Sequence, residues 1–108
     1  MTNNDVERFL IEVNIQRRMY YDKNYPTLEF HPVYISLPGG HDTKYIKLLC
    51  NCSTWGFIAK KDVITSTKSF RKGDLLRAAT ASAPAKHSRG NIVEGTAMYG
   101  PYGPEYLK

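Results

Sequence analysis

Apolar residues recur at helical spacing only near the start of the chain. Val6, Phe9, Leu10, Val13 and Tyr20 share one face of a helix predicted from Asp5 to Tyr21, while Glu7, Arg8, Glu12, Gln16 and Arg17 fall mostly off it. Asn4 is placed to cap this helix, and Glu7 three residues on completes a capping box. Acidic residues early and Arg17-Arg18 late both suit the helix dipole. A stripe of this kind is more often core than a partner-binding face. The run Asp22-Lys23-Asn24-Tyr25-Pro26 ends the helix, because the residue before a proline avoids helical geometry.

Beyond Pro26 the pattern shifts towards strands. Leu28 to Leu37 is rich in aromatic and β-branched residues, with Pro32 inside it. A proline cannot donate to a ladder, so this is an edge strand, a bulged strand or two short pieces. Pro38-Gly39-Gly40-His41-Asp42 reads as a turn. Lys44 to Cys52 alternates well enough for a second strand. Ser53-Thr54 is short enough for a hairpin turn, and Trp55 to Lys61 returns as a third strand. Lys60-Lys61-Asp62 suggests another turn before a short fourth strand at Val63-Ile64-Thr65. Ser66 to Gly73 is polar and basic. Asp74 is a suitable N-cap for a second, shorter helix from Leu75 to about Ser82, with Leu75, Leu76 and Ala79 on the sheet and Pro84 as its stop.

The sum is an α+β fold. An N-terminal helix packs on a small, mostly antiparallel sheet, a second short helix follows, and a Gly/Pro/Tyr-rich C-terminal tail closes the chain. The 108 residues make one domain. The tail, residues 92–108, has no regular element by composition, since Gly100-Pro101-Tyr102-Gly103-Pro104 interrupts any ladder. It is either a flexible end or a fold-back segment whose tyrosines wall the loop that precedes it.

Composition adds limits. With 42% hydrophobic and 23% charged residues, the chain is an ordinary globular one. No apolar run approaches the length of a membrane span, and the polar N-terminus lacks the apolar core of a signal peptide, so a cytoplasmic protein without membrane contact is expected. The net charge of +5 is uneven. Residues 1–43 carry four Lys and Arg against six Asp and Glu, and residues 44–108 carry eleven against four. That asymmetry points to an acidic partner for the second half, although such a charge also serves solubility. Cys50 and Cys52, one residue apart, are poorly spaced for a disulfide and too few for a zinc site. They are expected to be free, buried thiols on one face of a strand.

The most concentrated polar chemistry lies at Lys86-His87-Ser88-Arg89-Gly90-Asn91. Arg89 can hold a phosphate through two parallel hydrogen bonds, and Lys86 can add a point charge. Gly90 lets the backbone approach a ligand, while Ser88, His87 and the Asn91 backbone add hydrogen bonds. Tyr99 or Tyr102 would stack on a base. The spacing matches neither a Walker A loop nor G-x-G-x-x-G, and a solvated surface turn is the plain alternative. Aromatic and basic residues also interleave at Lys44, Tyr45 and Lys47, at Trp55, Phe57 and Lys60, and at Phe70 and Arg71, as a single-stranded nucleic-acid binder would require. No nucleophile elbow, H-E-x-x-H or paired-carboxylate motif appears, so the reading leans away from an enzyme and assigns no catalytic residue, metal or cofactor.

The tracts Gly73-Asp74-Leu75-Leu76-Arg77-Ala78-Ala79, Ala83 to Ile92, and Gly100-Pro101-Tyr102-Gly103-Pro104 resemble small uncharacterised proteins encoded by tailed bacteriophages. The resemblance covers the last third of the chain and brings no activity with it. It implies a protein that acts in the host cytoplasm by binding something of the host. The expectation is therefore a non-enzymatic binder of a phosphorylated, nucleotide-type ligand, for instance a sponge that sequesters a defence signalling nucleotide. The alternatives are a single-stranded nucleic-acid-binding protein using the basic half, and a protein–protein inhibitor of a host factor acting through the tail. A site lying between subunits would imply a homo-oligomer.

Overall fold

The computed structural model describes residues 3–35, 45–66, 69–80, 84–100 and 103–104. Helix α1 spans Asn3–Asn24 and packs on a five-stranded antiparallel sheet. Its strands are β1 (Val33–Ile35), β2 (Tyr45–Cys50), β3 (Ser53–Ala59), β6 (Asp74–Ala78) and β7 (Pro84–Asn91), side by side in that order. Between β3 and β6 the chain makes a two-stranded excursion, β4 (Val63–Ile64) with β5 (Ser69–Phe70). After β7 it forms a second small pair, β8 (Tyr99–Gly100) with β9 (Gly103–Pro104). The α+β architecture follows from the sequence; several of its parts do not.

The sheet is covered on both faces, because successive side chains along each strand point opposite ways. On one face Val6, Phe9 and Val13 of α1 meet Val33, Leu48, Trp55, Ile58, Leu75 and Ile92. Full burial of each of these α1 side chains stabilises the fold by about 1.5–3 kcal/mol. On the other face Tyr45, Phe57, Ala59 and Leu76 meet Val63 and Phe70 of the excursion. Leu75 and Leu76 are adjacent and both fully buried, one in each layer.

That arrangement explains the main correction. The predicted second helix is strand β6, paired with β3 through Phe57–Leu76 and Ile58–Leu75 and with β7 beyond it. A helix at this point would turn both leucines, about 100° apart, towards one layer, whereas the strand puts one in each. Asp74 does cap something, but it is a turn: its Oδ2 accepts from the Arg71 backbone N–H at 2.8 Å. Likewise Pro84 is not a helix stop; it opens β7, a position where its missing N–H is tolerated.

Smaller corrections share a cause in local backbone geometry. The β2–β3 turn is Asn51-Cys52, not Ser53-Thr54, and both turn residues have positive φ (49° and 65°), as a type I′ hairpin requires. Cys52 is therefore exposed while Cys50 is half-buried, and both are free thiols. The tail residues Tyr99-Gly100 and Gly103-Pro104 pair as short strands, with Pro104 buried against Gly56. The expected turn at Pro38–Asp42 lies outside the described residues.

Helix α1 runs two residues further at its start and three at its end than predicted. An aromatic group, Tyr20, Tyr21, Tyr25 and Phe30, gathers around its C-terminal end, with ring centroids 5.7–6.1 Å apart. Asn14 ties the helix to the sheet. Its side chain accepts from the Val33 N–H at 2.8 Å and donates to the Val33 carbonyl at 3.1 Å, pairing a residue of the edge strand β1. The edge role of this segment matches the prediction from Pro32.

Candidate functional site

The six residues predicted to cradle a phosphate are not in a loop. They form the body of β7, and the structure gives most of them internal duties. Asn91 is 3% exposed, and its side chain makes four bonds. Its Nδ2 donates to the Lys72 carbonyl at 2.9 Å and to Asp74 Oδ1 at 3.0 Å, and its Oδ1 accepts from the N–H groups of Val93 and Glu94. Ser88 Oγ donates to the Gly90 carbonyl and accepts from the Gly90 N–H, closing a local turn. Gly90 has φ +92°, and the space beside it is taken by the backbone of Thr96 and Ala97.

Arg89 is buried at 5% exposure, and its Nη1 donates to the carbonyl of His87. Burial, with a smaller push from nearby Arg77, lowers its pKa. Arg77 itself donates to the Pro104 carbonyl. His87 is exposed, and only the backbone of Lys86 is described. Tyr102 lies outside the described residues. The remaining predicted site residue, Tyr99, sits across the molecule's main core with its ring edge-on to Phe9 at 5.5 Å and tilted against Trp55 at 6.1 Å. Its hydroxyl donates to Glu12 Oε1 at 3.2 Å. Burial first, then the Glu12 charge and hydrogen bond, push its pKa up to about 12.

Tyr99 leads to a different concave site. Together with Gly100 it faces Gln16, Arg17 and Tyr20 of α1 across a cleft of about 370 Å³, within the range of small-molecule sites. Arg17 is the centre of this region. It is 3% exposed, and its Nη2 donates to the His31 carbonyl at 2.7 Å and to Cys50 Sγ at 3.0 Å. Its guanidinium lies 5.4 Å from the Tyr21 ring centroid and 5.7 Å from that of Phe30. Arg17 also lines a smaller recess of about 180 Å³ with Tyr21, Cys50, Ser53, Thr54 and Trp55. The buried Trp55 Nε1 in that wall has no acceptor among the described residues.

The sequence placed Gln16 and Arg17 off the apolar face. The structure puts Arg17 on it, one helical turn beyond Val13. The available signal was the spacing itself: position 17 continues the row of 6, 9 or 10 and 13, and only its charge argued otherwise.

The rings that interleave with basic residues are interior. Tyr45, Trp55, Phe57 and Phe70 are each at most 7% exposed, so they offer no open face for stacking. Arg71 is engaged at the surface in a two-point ion pair with Glu94, at 2.7 and 3.0 Å. Among the described residues no cluster of His, Cys, Asp and Glu could hold a metal ion, and no helix is long and apolar enough to cross a membrane. Comparison with protein-family models, curated proteins and solved structures finds no match for this chain.

Proposed function

We propose that this protein is a non-enzymatic binding protein for a phosphorylated ligand carrying a flat ring, of nucleotide type, and that the ligand occupies the cleft between α1 and Tyr99-Gly100. The observation that carries this reading is the convergence of Gln16, Arg17, Tyr20 and Tyr99 on one cleft of about 370 Å³. A guanidinium held in place by protein contacts offers a fixed positive charge to an anionic group without losing side-chain freedom on binding. Gln16 supplies a donor and an acceptor for a base edge. Tyr20 and Tyr99 supply aromatic surface. Compared with the β7 cradle, this site keeps Tyr99 and the ligand class but moves the charged group from Arg89 to Arg17.

Thermal unfolding of the full chain with mono-, di- and cyclic nucleotides tests the proposal, repeated on Gln16→Ala, Tyr20→Ala and Arg89→Ala. Ligand at 100 times its Kd adds about 2.7 kcal/mol, which raises Tm by about 10 °C for a domain of this size. The expected result is a shift with one ligand class that Gln16→Ala and Tyr20→Ala diminish and Arg89→Ala, corrected for its own stability, does not. No shift with any nucleotide, or a shift indifferent to both cleft variants, would refute the reading.

A further inference from the structure

Helix α1 is apolar on two opposite sides. One side is buried on the sheet. The other faces away from it and carries Ile11, Ile15 and Met19 at successive four-residue steps, 62%, 54% and 62% exposed. With Asn14, Arg18 and Phe30 they line an open groove of about 570 Å³. Three large aliphatic side chains in one row are more than the scatter expected of a solvated surface.

We propose that this face binds the same face of a second copy of the chain, the two α1 helices running antiparallel about a two-fold axis at Ile15. The charges that flank the row select this occupant. At about 100° per residue, Arg8 and Asp22 both lie within about 20° of the row's centre line, roughly 10 Å on either side of Ile15. An antiparallel two-fold sets Arg8 against the partner's Asp22, Ile11 beside the partner's Met19, and Ile15 on its own copy. On the outer flanks Glu7 comes beside the partner's Arg18, and Glu12 beside the partner's Lys23. Symmetry makes each opposite-charge contact twice. A parallel pairing would instead place Arg8 on Arg8 and Asp22 on Asp22. The helix surface is thus complementary to its own reverse, a property that an unrelated partner would not require. Within one chain Arg8 meets the half-buried Asp5 and Arg18 meets Asp22, but both arginines are exposed and can turn to a second partner at little cost.

Sedimentation velocity of the full chain, from low micromolar to several hundred micromolar, is the test. The wild type is expected to be a dimer at the upper end. Ile15→Asp removes two isoleucines from the seam and apposes two carboxylates on the axis, so it is expected to raise the dimer Kd by roughly 100-fold or more. Its Tm under monomeric conditions should stay near the wild-type value, since Ile15 points away from the core. Arg8→Asp and Asp22→Arg are each expected to weaken the homodimer, and mixing these two variants should restore association as a heterodimer. A wild type that stays monomeric throughout would overturn the proposal and leave the row to a heterologous partner. So would a dimer that survives Ile15→Asp, or two charge variants that fail to associate when mixed.

Discussion

Gly90 separates the two readings of β7 most sharply. From the sequence, a glycine beside Arg89 and Ser88 suggests close approach of a ligand to the backbone; in the structure the space is filled by the chain itself. A Cβ at Gly90 would stand 2.0 Å from the Thr96 carbonyl oxygen, 2.5 Å from its carbon and 2.8 Å from the Ala97 Cα. All three are backbone atoms, so no side-chain rotation relieves the clash. The segment that would have to move is held by the bonds Thr96 N–H to Asn91 O, Met98 N–H to Arg89 O and Asn91 N–H to Thr96 Oγ1, at 3.1, 2.7 and 2.9 Å. Gly90→Ala therefore incurs the cost of a positive φ, about 1–2 kcal/mol, and weakens two or three hydrogen bonds at about 1 kcal/mol each. A loss of about 3–5 kcal/mol is a large share of a domain's typical 5–15 and corresponds to a fall in Tm of about 13–22 °C. Gly95→Ala is the control: its φ is +73°, but nothing lies within 4 Å of the added carbon, so only the conformational cost applies. Urea and thermal denaturation followed by circular dichroism give both values. If Gly90→Ala unfolds no more easily than Gly95→Ala, the close approach of Thr96 is wrong and the ligand reading of Gly90 returns.

Four further outcomes are expected. Asn91→Ala strands the Lys72 carbonyl, the Asp74 carboxylate and two N–H groups, and should cost about 3–5 kcal/mol in urea denaturation with the m-value unchanged. In a spectroscopic alkaline titration Tyr99 should titrate near pH 12. Because its folded pKa is raised, its contribution to stability is complete below the unfolded value of about 10 and is lost as pH rises through the folded one. Glu94, hydrogen-bonded by Arg71, should titrate below the usual glutamate value in a carboxyl NMR titration. Its small contribution is present above the unfolded pKa and lost as pH falls through the folded one, and Arg71→Ala or high salt should return the midpoint towards normal. A thiol reagent should modify exposed Cys52 quickly, and half-buried Cys50, held between Arg17 and the His31 carbonyl, more slowly.

The parts of the fold legible in the sequence are those whose local chemistry agrees with their tertiary role. The apolar row of α1 is also its buried face, Pro32 keeps its segment at the sheet edge, and two apolar runs around a short polar break at 51–54 read as the hairpin they form. Where the two conflict, packing wins. Residues 74–78 carry a capping aspartate and two leucines, good helical material, yet only a strand between two layers sends one leucine into each. Strand β7 is low in β-branched residues, and what makes it a strand is the open edge of β6 beside it. The sequence leaves the tail open because glycine and proline report only the absence of regular ladders, not whether a groove awaits them. Gly56 provides one for Pro104.

The same conflict explains the site. Polar residues clustered in sequence suggest a ligand only if their hydrogen-bonding capacity faces outward, and in β7 the bonds of Ser88, Arg89 and Asn91 turn inward. Removing residues after Asn91 would consequently take Ile92, Ala97, Tyr99 and Pro104 out of the core, so truncation reports on stability rather than on a separable tail function. Arg17 is the converse case. Its charge suggests the surface, but its position in the apolar row forces the side chain inward, where the His31 carbonyl, Cys50 and two aromatic rings receive it. This guanidinium also borders two recesses, and that opening, with room for a ligand, is the physical reason to look for an anion beside Arg17.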